Sequence, residues 1–128
     1  MSEEPTYRLG DLQLRIMKVL WRCGAASVAE VHAELGADRL AYTTVATMLR
    51  KMEDRGLVRH RAQERRFIYR PVVTAAQVTR TAADDLVDRL FEGSLADAVS
   101  HLLETREISP EELTRLERLI ERRKKGRG

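Results

Sequence analysis

Apolar residues recur along this chain with a helical period at its start, a strand-like period in its middle and a helical period again to its end. Leu12, Ile16, Val19 and Leu20 fall at i, i+4, i+7 and i+8, a single stripe, with Leu14, Met17 and Trp21 as a flanking row. Gly24 stops that helix. A second helix opens at Ser27-Val28-Ala29-Glu30, a capping box in which the hydroxyl and the carboxylate each satisfy an orphan backbone N–H. Val28, Val31 and Leu35 form its apolar face and Gly36 ends it. The third helix covers 42–55: Val45, Met48, Leu49 and Met52 bury one side, and Gly56 suits the position just past its end.

After Gly56 the period shortens. Leu57-Val58-Arg59-His60-Arg61 and Phe67-Ile68-Tyr69-Arg70 are β-prone runs, Gln63-Glu64-Arg65-Arg66 between them is a hairpin tip, and Pro71 closes the second strand. Three helices followed by a hairpin is the order of a winged helix-turn-helix. The rest is helical. Thr74 and Gln77 form another capping box, and Val78, Ala82, Leu86 and Leu90 repeat every four residues beside Val87 and Phe91. Gly93-Ser94 breaks the run. Leu95, Val99, Leu102 and Leu103 carry the next helix, and Ser109-Pro110-Glu111-Glu112 opens the last, striped by Leu113, Leu116, Leu119 and Ile120. The expected class is mainly α with a small β-hairpin. A winged-helix domain spans 7–73, a helical domain 74–121 and a basic disordered tail 122–128.

Three short helices cannot enclose a core alone, so the stripes of the second domain need a partner surface. A second copy of the chain supplies one; packing back on the first domain is the alternative. The dimerising set would be Leu86, Leu90, Leu95, Val99, Leu102, Leu103, Leu113, Leu116, Leu119 and Ile120.

Composition narrows the function. Apolar residues are 43% of 128, too many for a disordered chain. The lone Cys23 excludes a disulfide framework and a thiolate cluster, and a buried core thiol is its expected place. No apolar run approaches the roughly 20 residues of a membrane span. The acidic opening Met1-Ser2-Glu3-Glu4 has no signal-peptide character, so a cytoplasmic address is expected. His32, His60 and His101 are far apart, and Asp84, Asp85 and Asp88 lack a calcium loop. No phosphate-cradling glycine loop or nucleophile pairing is present. Neither an enzyme, a metal nor a cofactor is expected.

Charge is unevenly placed. Residues 50–70 hold eight basic side chains against three acidic, whereas residues 78–121 hold five against eleven. Arg122, Arg123, Lys124, Lys125 and Arg127 then return to basic. One half is therefore suited to a polyanion. In a helix-turn-helix the N-terminal residues of the second motif helix meet base edges. Here Tyr42, Thr43, Thr44, Ala46, Thr47 and Arg50 form that outward face, and Thr43, Thr47 and Arg50 sit at i, i+4 and i+7. Thr is a poor helix former, so its repetition has no stability rationale. Arg61, Arg65 and Arg66 on a wing over 58–70 suit phosphate or a narrow minor groove. Ser27 and the first turn of its helix are a weaker phosphate site, since capping already explains Ser27.

These residues are familiar together. The opening helix Leu9–Trp21, Ser27–Val31, Tyr42–Leu49, Leu57-Val58 and Phe67–Tyr69 resemble the penicillinase-repressor (BlaI/MecI) family, with matching order and spacing over roughly 7–121. The resemblance implies a homodimeric transcriptional repressor on double-stranded operator DNA with TACA/TGTA-like dyad half-sites, in promoters of resistance or stress operons. It puts base reading on Thr43, Thr44, Ala46 and Thr47, and wing contacts on Arg65 and Arg66. Two departures stand out. The paired C-terminal cysteines of the copper-responsive branch are missing. The Asn-Phe bond cut by a membrane sensor metalloprotease in the β-lactam branch falls here at His101-Leu102. No small-molecule ligand is expected. The rival readings are a winged-helix protein-interaction module without a DNA role and a ligand-sensing winged-helix regulator.

Overall fold

The computed structural model describes residues 6–36 and 39–127; the acidic opening Met1–Glu4 and Gly128 of the basic tail lie outside them. Its elements are α1 (Asp11–Cys23), β1 (Ala26–Ser27), α2 (Val28–Glu34), α3 (Tyr42–Asp54), β2 (Val58–Gln63), β3 (Arg66–Pro71), α4 (Ala75–Leu90), α5 (Leu95–Thr105) and α6 (Pro110–Arg127). Helices and hairpin follow the order read from the sequence. The structure adds β1, which pairs with β3 through Ala26↔Tyr69 and Ser27↔Ile68 to give an antiparallel sheet ordered β1-β3-β2.

The first compact unit runs to Asp85 and holds the core. Ile16, Met17 and Leu20 of α1, Val31 of α2, and Val45, Leu49 and Met52 of α3 are fully buried with Leu57 and Val58. Gly24, Gly36 and Gly56 follow the first three helices at φ between 79° and 85°, the left-handed region where a side chain is strained. Polar groups lock the unit. The Trp21 indole N–H donates to the Val73 carbonyl at 2.9 Å, and Arg15 donates to the Leu35 carbonyl at the end of α2. The Arg55 guanidinium donates to Gln13 Oε1 and to the Arg8 carbonyl, joining the end of α3 to the start of α1.

Four expectations change. The boundary at 73/74 moves into α4, because Val78 and Thr81 are buried in the first unit and Thr81 Oγ1 accepts the Tyr7 N–H at 3.4 Å. Ala82, expected on one stripe with Val78, is exposed. Cys23 is exposed, not buried: it falls on the side of α1 that carries Ile16 and Val19, but as the last residue of the helix, beside Gly24. The stretch 122–127, expected to be disordered, continues α6. Lys and Arg are good helix formers and their charge complements the negative C-terminal end of a helix.

The second unit begins at Leu86. Ser94 Oγ caps α5 and Ser109 Oγ caps α6, accepting the N–H groups of Asp97 and Glu112. The Phe91 ring lies against His101, with centroids 5.9 Å apart. Among the described residues of this unit only Ala98 is buried. Leu95, Val99 and Leu103 of α5 and Leu113, Leu116, Leu119 and Ile120 of α6 line an open apolar trough of about 800 Å³. No helix among the described residues is long and apolar enough to cross a membrane.

Candidate nucleic-acid interface

Helix α3 has two faces with separate duties. Val45, Leu49 and Met52 are buried in the core, with Met48 half-buried beside them. Tyr42, Thr43, Thr44, Thr47 and Arg50 are exposed, and Ala46 is half-buried between them. Ala41 precedes the helix and offers no side-chain cap, and the first turn carries no acid. The positive end of the helix therefore stays open to an anion.

The wing is a hairpin in full register from Val58↔Pro71 to Gln63↔Arg66. Its tip is the two-residue turn Glu64-Arg65, with φ of 49° and 69°. Two successive positive φ values are the mark of the type I′ turn, whose twist matches that of the strands. Neither residue is a usual turn former, so this conformation is held at a cost.

The root of the wing is fixed to α3. The Glu53 carboxylate accepts the His60 backbone N–H at 3.2 Å and meets His60 Nδ1 at 2.6 Å. The His60 ring lies on Phe67, with centroids 4.2 Å apart, and beside Tyr69. Tyr69 is buried, and that burial, reinforced by the Glu53 charge, raises its phenol above the ordinary tyrosine value; Arg50 nearby opposes the shift.

These elements enclose a groove of about 410 Å³. One wall is Tyr42, Ala46 and Arg50 of α3, and the other is Arg65, Arg66, Phe67 and Tyr69 of the wing. Ser27, Val28 and Ala29 close its end. The capping box expected there is present: Glu30 N–H donates to Ser27 Oγ at 3.2 Å, and Ser27 N–H donates to Glu30 Oε1 at 2.8 Å. The backbone bond from Ser27 holds the Glu30 carboxyl below the ordinary glutamate value, with help from the Ser27 hydroxyl and from Arg66.

Of the nine residues expected to meet DNA, the groove thus gathers Tyr42, Ala46, Arg50, Arg65 and Arg66. Thr43, Thr44 and Thr47 stand exposed on α3 outside its lining. Arg61 does not join Arg65 and Arg66. It pairs with Ile68 and lines a separate recess with Arg59 and Arg70. Arg65 and Arg66 stand at the turn, whereas Arg61 lies further down β2 on the face opposite Phe67 and Tyr69. Sequence reasoning passed over Phe67, an exposed aromatic in the groove wall. Its position two residues before Tyr69 was the available signal. His101 and Leu102 are both exposed on α5, and the bond between them lies within the helix, where the His101 carbonyl accepts the Thr105 hydroxyl at 2.9 Å.

Comparison with known proteins agrees in order and extent. The family profile described as Penicillinase repressor matches residues 9–122. The chain is 34% identical over 124 residues to the transcriptional regulator BlaI of Mycobacterium tuberculosis, covering 94% of this chain and 88% of that one. It is 27% identical over 118 residues to the penicillinase repressor of Bacillus licheniformis, covering 91% and 92%. The solved DNA-binding domain of the repressor BlaI overlays on 60% of this chain and 93% of its own, at a TM-score of 0.50 and 28% identity. With its helix-helix-helix-hairpin order and a family match over nearly its whole length, the chain belongs to the penicillinase repressor family.

Proposed function

We propose that this chain is a homodimeric transcriptional repressor that binds double-stranded operator DNA as a dyad of TACA/TGTA-like half-sites. Its relatives are transcriptional repressors, not enzymes. One observation carries the reading here: a single groove brings Tyr42, Ala46 and Arg50 of α3 together with Arg65 and Arg66 of the wing. Helix α3 enters the major groove with Thr43, Thr44, Ala46 and Thr47 at base edges. Arg50, Arg65 and Arg66 meet phosphates or the adjoining minor groove. The basic surplus over residues 50–70 gives the attraction, less the contribution of Arg55, which is engaged with Gln13 and Arg8.

The apolar trough of the second unit supports pairing of two chains. Large side chains stay exposed there, Leu95 by 66% and Ile120 by 54%, on a unit with almost no core of its own. A single winged helix makes too few phosphate contacts to hold an operator, so loss of the dimer releases the DNA. A membrane metalloprotease acting at His101-Leu102 would achieve this by cutting α5, which must first unwind at that turn. Such a repressor works in the cytoplasm.

The test is a fluorescence-anisotropy titration. The probes are a duplex with inverted TACA/TGTA half-sites and a scrambled duplex, each at two salt concentrations. Tighter binding to the dyad at two chains per duplex is the expected result. Absence of binding to both at low salt would overturn the reading and favour a protein-interaction module.

A further inference from the structure

The side chains of Arg59, Arg61 and Arg70 crowd the face of the wing sheet that turns away from the groove. Arg59 stands directly opposite Arg70 across the ladder, and Arg61 is two residues along β2 from Arg59, about 6.7 Å away. Together they rim a recess of about 610 Å³ whose apolar lining is Ala25 and Ile68. All three are exposed. Like charges facing each other across a ladder destabilise it. The acid lining this recess, Glu53, is already taken up by His60. The lining thus carries three guanidiniums and His60 against one engaged carboxylate.

We infer that this outer face binds the phosphates of DNA beyond the half-site, on the strand across the minor groove from α3. The inference rests on the repressor reading and extends it. A hairpin whose tip enters a minor groove is flanked by a phosphate strand on each side, since that groove is only about 6 Å wide. On this hairpin the tip is basic as well as one face. Arg65 and Arg66 at the tip line the groove with α3, and Arg59, Arg61 and Arg70 occupy the face opposite Phe67 and Tyr69. The patch begins at Arg61, two residues or about 7 Å along the strand from the end of β2, where the turn begins, so a wing tip on DNA carries it to the flanking backbone. All three residues are arginine, whose planar fork suits phosphate oxygens. An acidic protein surface is the competing partner, and the test separates the two.

The experiment compares two duplexes bearing the same inverted TACA/TGTA half-sites. One ends at the outer edges of the half-sites, and the other extends about one helical turn further on each side. Wild-type protein should bind the longer duplex more tightly, with a salt slope steeper by about two to five units over two wings, at about 0.9 per neutralised phosphate. Arg59→Gln with Arg70→Gln should lose at least half of that increment and keep its affinity for the short duplex. Its melting temperature should not fall, because the change removes a like-charge pair; if it does fall, Arg59→Gln alone carries the same comparison. Equal slopes on the two duplexes overturn the inference while leaving the repressor reading intact. An increment that survives in the variant, or an equal loss on both duplexes, also overturns it and returns the patch to a protein partner. Failure to bind either duplex overturns the repressor reading and this inference together.

Discussion

Glu53, one residue from the end of α3, grips His60 of β2 at two points, the backbone N–H at 3.2 Å and Nδ1 at 2.6 Å. The carboxylate sets the angle between the helix proposed to read bases and the wing proposed to hold the backbone. His60→Ala breaks the side-chain half of this grip and removes a ring from Phe67. The expected cost is about 1 kcal/mol, at the low end for a charge-assisted bond because both groups are partly exposed, and a thermal melt reads it. Preference for the dyad over scrambled DNA should fall, although His60 itself lies outside the groove lining.

Arg65→Ala with Arg66→Ala tests the other wall of the groove. Binding should weaken on every sequence, and the salt slope should flatten by up to about four units over the two wings. An unchanged slope would remove the wing tip from the interface.

The tip also stores strain. Glu64→Asn with Arg65→Gly installs the residue pair that a type I′ turn favours and relieves two left-handed side chains. Stability should rise by about 1–2 kcal/mol, while loss of the Arg65 guanidinium weakens DNA binding. A denaturant titration and an anisotropy titration on one preparation should therefore move in opposite directions. A gain in both would mean that Arg65 does not meet DNA.

The trough of the second unit is tested by Leu113→Glu with Ile120→Glu. Both side chains are exposed in the single chain, so neither change opens a cavity. Sedimentation should report a monomer, and operator affinity should drop by about two orders of magnitude or more, because half the phosphate contacts are lost. A dimer that persists would exclude this face from the pairing surface.

Two groups give the stability a predictable pH dependence. The Glu30 carboxyl is held below its ordinary value by Ser27, so its contribution is full above the ordinary carboxylate range and is lost as the pH falls through the lowered value. Glu30→Gln should flatten the acid limb of a stability–pH curve. The Tyr69 phenol is raised, so its contribution is full below the ordinary tyrosine value and is lost as the pH rises through the raised one. Tyr69→Phe should flatten the alkaline limb and leave the acid limb alone.

Local chemistry made most of the elements legible in the sequence. Ser27 with Glu30, Thr74 with Gln77, and Ser109 each announce a helix start that depends only on residues three apart, and each is formed. Gly24, Gly36 and Gly56 announce the ends. What escaped depends on distant partners. Strand β1 is two residues long and exists only because Ala26 and Ser27 meet Tyr69 and Ile68, some forty residues on. The compact unit ends inside α4 because Thr81 meets Tyr7, which no helical stripe reveals. At the groove, the outward residues of α3 follow from its period. The separation of Arg61 from Arg65 and Arg66 follows from its place along the hairpin, below the turn and opposite Phe67 and Tyr69, which composition does not carry.

The division of α3 into two faces, with only Ala46 and Met48 half-buried, has an evolutionary consequence. Thr43, Thr44, Thr47 and Arg50 bear no part of the core, and Val45, Leu49 and Met52 never reach the surface. A lineage can therefore rewrite the outward letters one at a time without crossing an unfolded intermediate. Duplicated copies of such a chain are free to drift to new promoters while the scaffold beneath them stays the same.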